Sequence, residues 1–127
     1  MFKTRTFARW SRKAGVSDEA LRKAILEMIA GLVDADLGGS VYKKRVPLPG
    51  RGKSGGARIL VATKQADRWF LLYGFGKNEQ ANIDERELAA LQKLASALLS
   101  MTPEQLEHTV AERELVEISD EEESNPS

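Results

Sequence analysis

The sequence predicts an α+β domain built on a mostly antiparallel sheet. Three observations predict it. Two amphipathic stretches with helical spacing begin near Ser17 and Asp84. Between them lies a block of extended, β-rich segments punctuated by Gly and Pro. The chain is 127 residues long, enough for one domain to bury a core without disulfide staples.

Residues 2–10, FKTRTFARW, alternate. Phe2, Thr4, Thr6, Ala8 and Trp10 fall on one side of an extended chain, and Lys3, Arg5, Phe7 and Arg9 on the other. Period two predicts a strand. Ser17 is a good N-cap, and Asp18 and Glu19 suit the first turn of a helix. Leu21, Ala24, Ile25, Met28, Ile29 and Leu32 recur at helical spacing, so the helix is expected to run to about Ala35. Gly38-Gly39 stops it. Its apolar stripe reads as core rather than a ligand box.

Val41 to Leu48 is short, basic and extended, and Pro47 and Pro49 place its end at an edge or in a loop. Pro49 to Gly56, PGRGKSGG, holds four glycines in eight residues and reads as a flexible turn carrying Arg51 and Lys53. Arg58 to Lys64 and Arg68 to Gly74 are strand-like and joined by a hairpin loop at Gln65-Ala66-Asp67. In the second of these strands, strict alternation puts Trp69, Leu71, Tyr73, Phe75 and Lys77 on one face. Phe70, Leu72, Gly74 and Gly76 share the other. Both faces are apolar near the middle, so the strand is expected to be central and covered on both sides.

Asp84 and Glu87 have the spacing of a capping pair, and Leu88, Leu91, Leu94, Ala95, Leu98 and Met101 form the stripe of a second helix. Thr102-Pro103 ends it. The same pair starts a third, short helix, with Gln105 completing a capping box. Leu115 to Ile118 reads as one more strand. Residues 119–127, SDEEESNPS, lack apolar side chains and are expected to be disordered.

The formal net charge is zero, but it is unevenly spread. Up to Lys77 there are 16 Lys/Arg and 6 Asp/Glu; from Asn78 onward there are 3 and 13. Lys43 to Lys77 alone holds nine basic residues and one acid, Asp67. This predicts a polyanion-binding body, residues 1–101, with an acidic C-terminal extension, residues 102–127. The same distribution also fits an ordinary solvated surface. With no cysteine there is no disulfide framework, thiol catalysis or thiolate metal site. With one histidine, His108, there is no His-rich metal site and no two-histidine acid–base pair. No metal and no cofactor is expected. The longest uncharged run, Leu94 to Pro103, is too short to span a membrane. A soluble protein of the cytoplasm is expected, with no membrane partner.

PGRGKSGG invites a phosphate-loop reading, which fails. A Walker loop needs GxxxxGK[ST] between a strand and a helix, and here a strand follows. A looser role survives: glycine-rich backbone with Arg51 and Lys53 can approach a phosphodiester closely. Arg58 opens a strand directly after Gly55-Gly56 and can grip a phosphate with two N–H groups, or serve in a surface ion pair. Tyr73, Phe75 and Lys77 combine stacking rings with charge, the pattern that holds unstacked bases and phosphate, although both rings also suit a core. Glu79 can act as a base or orient Lys77. His108, on a short polar helix, reads as a surface residue.

The stretch from Gly38 to Glu79 resembles the RelE/HigB superfamily of bacterial toxins from type II toxin–antitoxin modules, part of the wider RelE/ParE superfamily. The resemblance is to a HigB-like branch with a basic strand, a G-x-G-K-x-G-G-x-R-I segment, an apolar hairpin partner and a K-N-E turn before a helix. Here these are Gly50, Gly52, Lys53, Gly55, Gly56, Arg58, Ile59 and Lys77-Asn78-Glu79. It extends over Phe2 to Leu99, the first third matching only in element order. The acidic end also looks like tails of this branch.

The resemblance implies a compact RelE-like fold with helices on one side of the sheet and a concave basic face. It implies a toxin that enters the ribosomal A site and cleaves mRNA, the ribose 2′-OH attacking the adjacent phosphate. Arg58 then corresponds to the strand arginine at the scissile phosphate and Lys53 to the basic loop position. Tyr73 and Lys77 lie on the strand that carries further active-site groups. Lys43, Lys44, Arg45 and Arg51 are the accompanying RNA-binding residues. The implied partners are a cognate antitoxin, in a hetero-oligomer, and the ribosome with its mRNA. Preorganised Arg and Lys donors suit this chemistry because the pentavalent phosphate carries extra negative charge; losing one such donor typically costs ~3–4 kcal/mol. Lys53, with Arg51 beside it, is a candidate base, since neighbouring cations favour the neutral amine. Two other readings stay open: a toxin that binds a protein target such as gyrase, and a plain nucleic-acid-binding module.

Overall fold

The computed structural model describes residues 1–49, 52–64, 68–76, 80 and 82–118, and of 52–55 the backbone alone. Strand β1 is Phe2–Thr4, and the chain then turns at once into helix α1, Arg5–Ala14. The strand expected over residues 2–10 is therefore mostly helix. Thr4 is the reason: its side chain caps α1 by accepting from the Phe7 N–H at 3.1 Å. Phe7, Trp10, Ser11 and Ala14 also lie at helical spacing, so one turn pattern buries Phe7 and Ser11 together and seats Trp10 and Ala14 on the core. A nine-residue window satisfied both periods, and the cap decided between them.

Helix α2 is Asp18–Ile29, capped by Ser17, with Leu21, Ala24, Ile25 and Met28 buried. It ends six residues before Ala35. Ile29 and Leu32 are exposed, so the apolar stripe does not continue, and Gly31, at φ +96°, turns the chain out of the helix. A two-residue strand β2, Ala35–Asp36, takes the place of the expected last turn.

Strands β3 (Val41–Leu48), β4 (Gly52–Ala62) and β5 (Phe70–Gly76) form an antiparallel meander. The six strands follow the order β2-β3-β4-β5-β1-β6, where β6 is Leu115–Glu117, and only the β1–β5 pair is parallel. Pro47 sits where β3 has no outer neighbour, since β2 pairs only with Tyr42 and Lys43, and the β3–β4 register shifts there. The second half of the glycine-rich segment, expected as a turn, is the start of β4: Gly52 pairs with Leu48 and Ala57 with Val46. Gly50, Arg51 and the hairpin loop at Gln65-Ala66-Asp67 lie outside the described residues.

Strand β5 is central and buried on both faces, as its composition predicts. Its side-chain alternation is not the expected one. Leu71 pairs with Val61 and Tyr73 with Leu60, so Leu72 is an extra residue, a β-bulge. Trp69 and Leu71 face one core with Ile59, Val61 and Val46. Beyond the bulge, Tyr73 and Phe75 join Phe70 and Leu72 on the other, with Leu60, Ala62 and Val41. Strict alternation would have kept Tyr73 and Phe75 on the side of Trp69.

Two cores mean two helical layers. Helices are expected on one side of the sheet, but the structure has them on both, with α1 and α2 over the first core. Helices α3 (Glu85–Leu99) and α4 (Pro103–Ala111) pack on the opposite face through Ala95, Leu98, Leu106 and Val110. Asp84 caps α3, and Thr102 with Gln105 forms the full capping box of α4, with Pro103 at its start. Arg68 Nη1 donates to the Met101 carbonyl at 2.6 Å, tying the start of β5 to the α3–α4 junction. Strand β6 closes the sheet beside β1, burying Leu115 and Ile118. Helix α4 and β6 thus lie beyond the expected body of residues 1–101 and pack on it.

Candidate functional site

The two core faces of the sheet differ at the β3–β4 end. On the α3 face, register places Arg45, Arg58 and Phe75 in one cross-strand row and Lys43, Leu60 and Tyr73 in the next. Directly opposed residues on antiparallel strands share a face, with Cβ atoms ~5 Å apart. Lys43, Arg45, Arg58 and Tyr73 therefore form one contiguous patch across three strands. Tyr73 belongs to it only because of the bulge at Leu72.

Opposed arginines repel, and the structure compensates one of them. Asp34, just before β2, accepts from the Arg45 backbone N–H and lies 3.3 Å from Arg45 Nε. Among the described residues Arg58 has no such carboxylate. Its Nη1 is buried and has no hydrogen-bond partner among the described residues. Leaving a buried donor unfilled typically costs ~1–3 kcal/mol, more for a charged group. Such a group is ready to donate to an anion that brings its own acceptor oxygens. Lys43 is half-buried and has no ion-pair partner among the described residues.

The Tyr73 hydroxyl lies 3.1 Å from Glu87 Oε2 and 3.2 Å from Gln80 Oε1, so its one proton can be given to either. Both partners are held in place. Asp84 caps the Glu87 N–H at 2.8 Å in the first turn of α3, and Gln80 Nε2 donates to the Asn82 carbonyl at 2.8 Å. The predicted Asp84–Glu87 capping pair is thus only half used for capping; the Glu87 carboxylate goes to Tyr73. Glu87 and Gln80 are site residues that the sequence reading missed. No periodicity signals them, because both lie outside β5 and meet Tyr73 only in the folded chain. The Tyr73 ring packs against Phe75, centroids 6.0 Å apart, and Phe75 is buried in the core.

Not every expected residue reaches this patch. Lys44 alternates to the opposite face, is almost fully buried, and pairs with Glu27 of α2 at 3.0 Å. Lys53 lies in β4, and its side chain is outside the description. Arg51, Lys77 and Glu79 lie outside the described residues. His108 is exposed on α4, 3.8 Å from Glu112, and far in sequence from the patch. Among the described residues no three metal-ligating side chains gather, and no helix is long and apolar enough to cross a membrane.

The patch can therefore do two things. Its guanidinium and ammonium groups can hold a phosphate, and its carboxylate-bound tyrosine can orient or exchange a proton beside it.

A comparison with curated proteins finds no match. A comparison with family models gives the RelE toxin of the RelE / RelB toxin–antitoxin system, matching residues 1–118. That match spans every element from β1 to β6, including α4 and β6 beyond the region of resemblance in the sequence reading. It is to the RelE family as a whole and does not single out the HigB-like branch. A match over this much of the chain, joined to an antiparallel sheet with a basic face around Arg58, means that the chain belongs to the RelE toxin family of toxin–antitoxin systems.

Proposed function

We propose that this toxin, of the HigB-like kind, is a ribosome-dependent mRNA endoribonuclease, cutting by attack of a ribose 2′-OH on the adjacent phosphate. The buried Nη1 of Arg58, unpartnered among the described residues and set in a patch with Lys43, Arg45 and Tyr73, carries the reading. A guanidinium with an unfilled donor accepts a phosphoryl oxygen without first giving up another partner. Its interaction strengthens as the phosphate gains charge in the pentavalent transition state.

The roles divide by chemistry. Arg58 stabilises the phosphoryl oxygens. Lys43 and Arg45 hold flanking phosphates, and Arg51, which precedes β4 in sequence, adds to them. Lys53 of β4 and Lys77, which follows β5 in sequence, supply further cationic donors. Tyr73, oriented by Glu87, sits beside the reacting phosphate, where its hydroxyl can move a proton to or from the attacking or leaving oxygen. Charge is balanced by these groups in this scheme, and no step is assigned to a metal. The ribosome, in the cytoplasm, supplies the positioning that so sparse a set lacks. The cognate antitoxin silences the toxin by covering the Arg45–Arg58 face.

The test is a reconstituted translation reaction with purified ribosomes and a defined message, read by primer extension. Wild type is expected to cut the message only when it occupies the ribosome. Arg58→Ala is expected to cut ~100–1000-fold more slowly. An equal rate in both proteins would remove Arg58 from the site, and intact message with unimpaired translation would point to a different target instead.

A further inference from the structure

A second basic surface lies away from this patch. Three arginines of α1, Arg5, Arg9 and Arg12, face Arg113 across a groove of about 420 Å³ between α1 and the turn from α4 to β6. All four are exposed, and none has an ion-pair partner among the described residues. The one carboxylate in the lining is Glu112, which lies 3.8 Å from His108 Nε2. Arg113 is presented by a strained backbone, φ +62°, in the turn that starts β6. Four guanidinium groups around one groove repel each other unless an anion lies between them.

We propose that this groove is a second nucleic-acid site, one that grips the phosphodiester backbone of a folded RNA. The proposal rests on the RNA-cutting reading above. Arg5, Arg9 and Arg12 stand at i, i+4 and i+7 on one helix face, rising about 6 Å and then about 4.5 Å along the axis. A row of donors suits a row of phosphates better than a single small anion. Guanidinium forks bind phosphate oxygens in pairs. An acidic peptide would need apolar sockets beside its charges, and among the described residues the groove offers only Ala8 and Val116.

Its place in the fold says which RNA segment it holds. Helix α1 packs on the sheet face opposite Arg58, and β6 is three strands from β4 in the sheet order. Three strand spacings are about 14 Å. The groove therefore cannot hold the nucleotide being cut. It holds a separate backbone segment, so that the toxin engages RNA on two sides and is steered into a site walled by RNA.

The experiment measures binding of a fully 2′-O-methylated hairpin RNA, which cannot undergo 2′-OH attack, across a series of salt concentrations. The full chain is compared with the triple variant Arg5→Ala/Arg9→Ala/Arg12→Ala, with its Arg→Lys counterpart and with Arg58→Ala. Each phosphate contact contributes ~0.7–0.9 to the slope of log K against log salt, so the Ala triple variant is expected to lose about two units of slope. Its affinity at low salt is expected to fall about tenfold or more. The Lys variant keeps the charge and is expected to keep the slope, and Arg58→Ala to lose at most about one unit. An unchanged affinity and slope in the Ala triple variant would overturn the proposal. So would an equal loss in the Lys variant, or arginine-dependent binding of polyglutamate but not of RNA. Message cutting on ribosomes is scored separately, so the groove can fail while the Arg58 assignment stands.

Discussion

At the scale of single residues, the site depends on which way each side chain points. Lys43, Lys44 and Arg45 are consecutive cations, yet only the first and third share the face of Arg58. Lys44 instead closes an ion pair with Glu27 over the first core. Lys44→Ala is therefore expected to cost stability, about 1 kcal/mol given that Glu27 is partly exposed, and to leave message cutting unchanged per folded molecule. Denaturant unfolding and primer extension check the two halves of that statement. Arg58→Ala is expected to behave in the opposite way. It removes a buried donor that has no partner among the described residues, so stability is expected to hold or rise while activity collapses. Tyr73→Phe is expected to lower the cutting rate about 100-fold with the melting temperature little changed, because the ring stays packed on Phe75 and only the proton-carrying hydroxyl is lost. A double-mutant cycle with Glu87→Gln is expected to be non-additive, since both act through one hydrogen bond. Additive losses would separate them. The residue types at Arg58 and Tyr73 were legible from sequence. Their partners were not, because Glu87 and Gln80 arrive from a separate element.

At the scale of elements, local signals were reliable and pairing was not. Ser17, Asp84 and Thr102 each mark a helix start that the structure confirms, because a cap needs only its own next three residues. The bulge at Leu72 had no such local mark. It exists only in the register between β4 and β5, and it reverses the side of every later residue of β5. The same lack of pairing information hid α1 inside an alternating segment and left the second helical layer unplaced. The bulge also fixes a close approach. Gly74 faces α1, where a Cβ would lie 2.3 Å from the Trp10 ring atoms Cε3 and Cζ3. Gly74→Ala is therefore expected to destabilise the protein by ~1–3 kcal/mol or more, because the ring must leave the site that Phe7 also defines. Thermal or urea unfolding of the variant checks this, and an unchanged midpoint would contradict the packing of α1 on β5.

At the scale of the molecule, α3 and α4 cover the second core, and the same face of the sheet carries Lys43, Arg45 and Arg58 on β3 and β4. Charge composition suggested a basic body with an acidic extension. The fold draws the line elsewhere: α4 covers the second core and β6 completes the sheet, so residues up to Ile118 belong to the packed body. Truncation after Ile118 is expected to leave the melting transition in place, whereas truncation after Met101 exposes Phe2 and removes Leu115 and Ile118 from the two cores. The second is expected to abolish cooperative unfolding by circular dichroism. The central claim is that this body cuts translated mRNA with Arg58 at the phosphate. The most direct measurement is induced expression in a bacterial host of wild type and Arg58→Ala at matched soluble levels, followed by mapping of mRNA 5′ ends. New 5′-hydroxyl ends in translated regions, in frame with the codons and absent from the variant, are the predicted result. Growth arrest by wild type with no new ends, or the same ends in both strains, would contradict it.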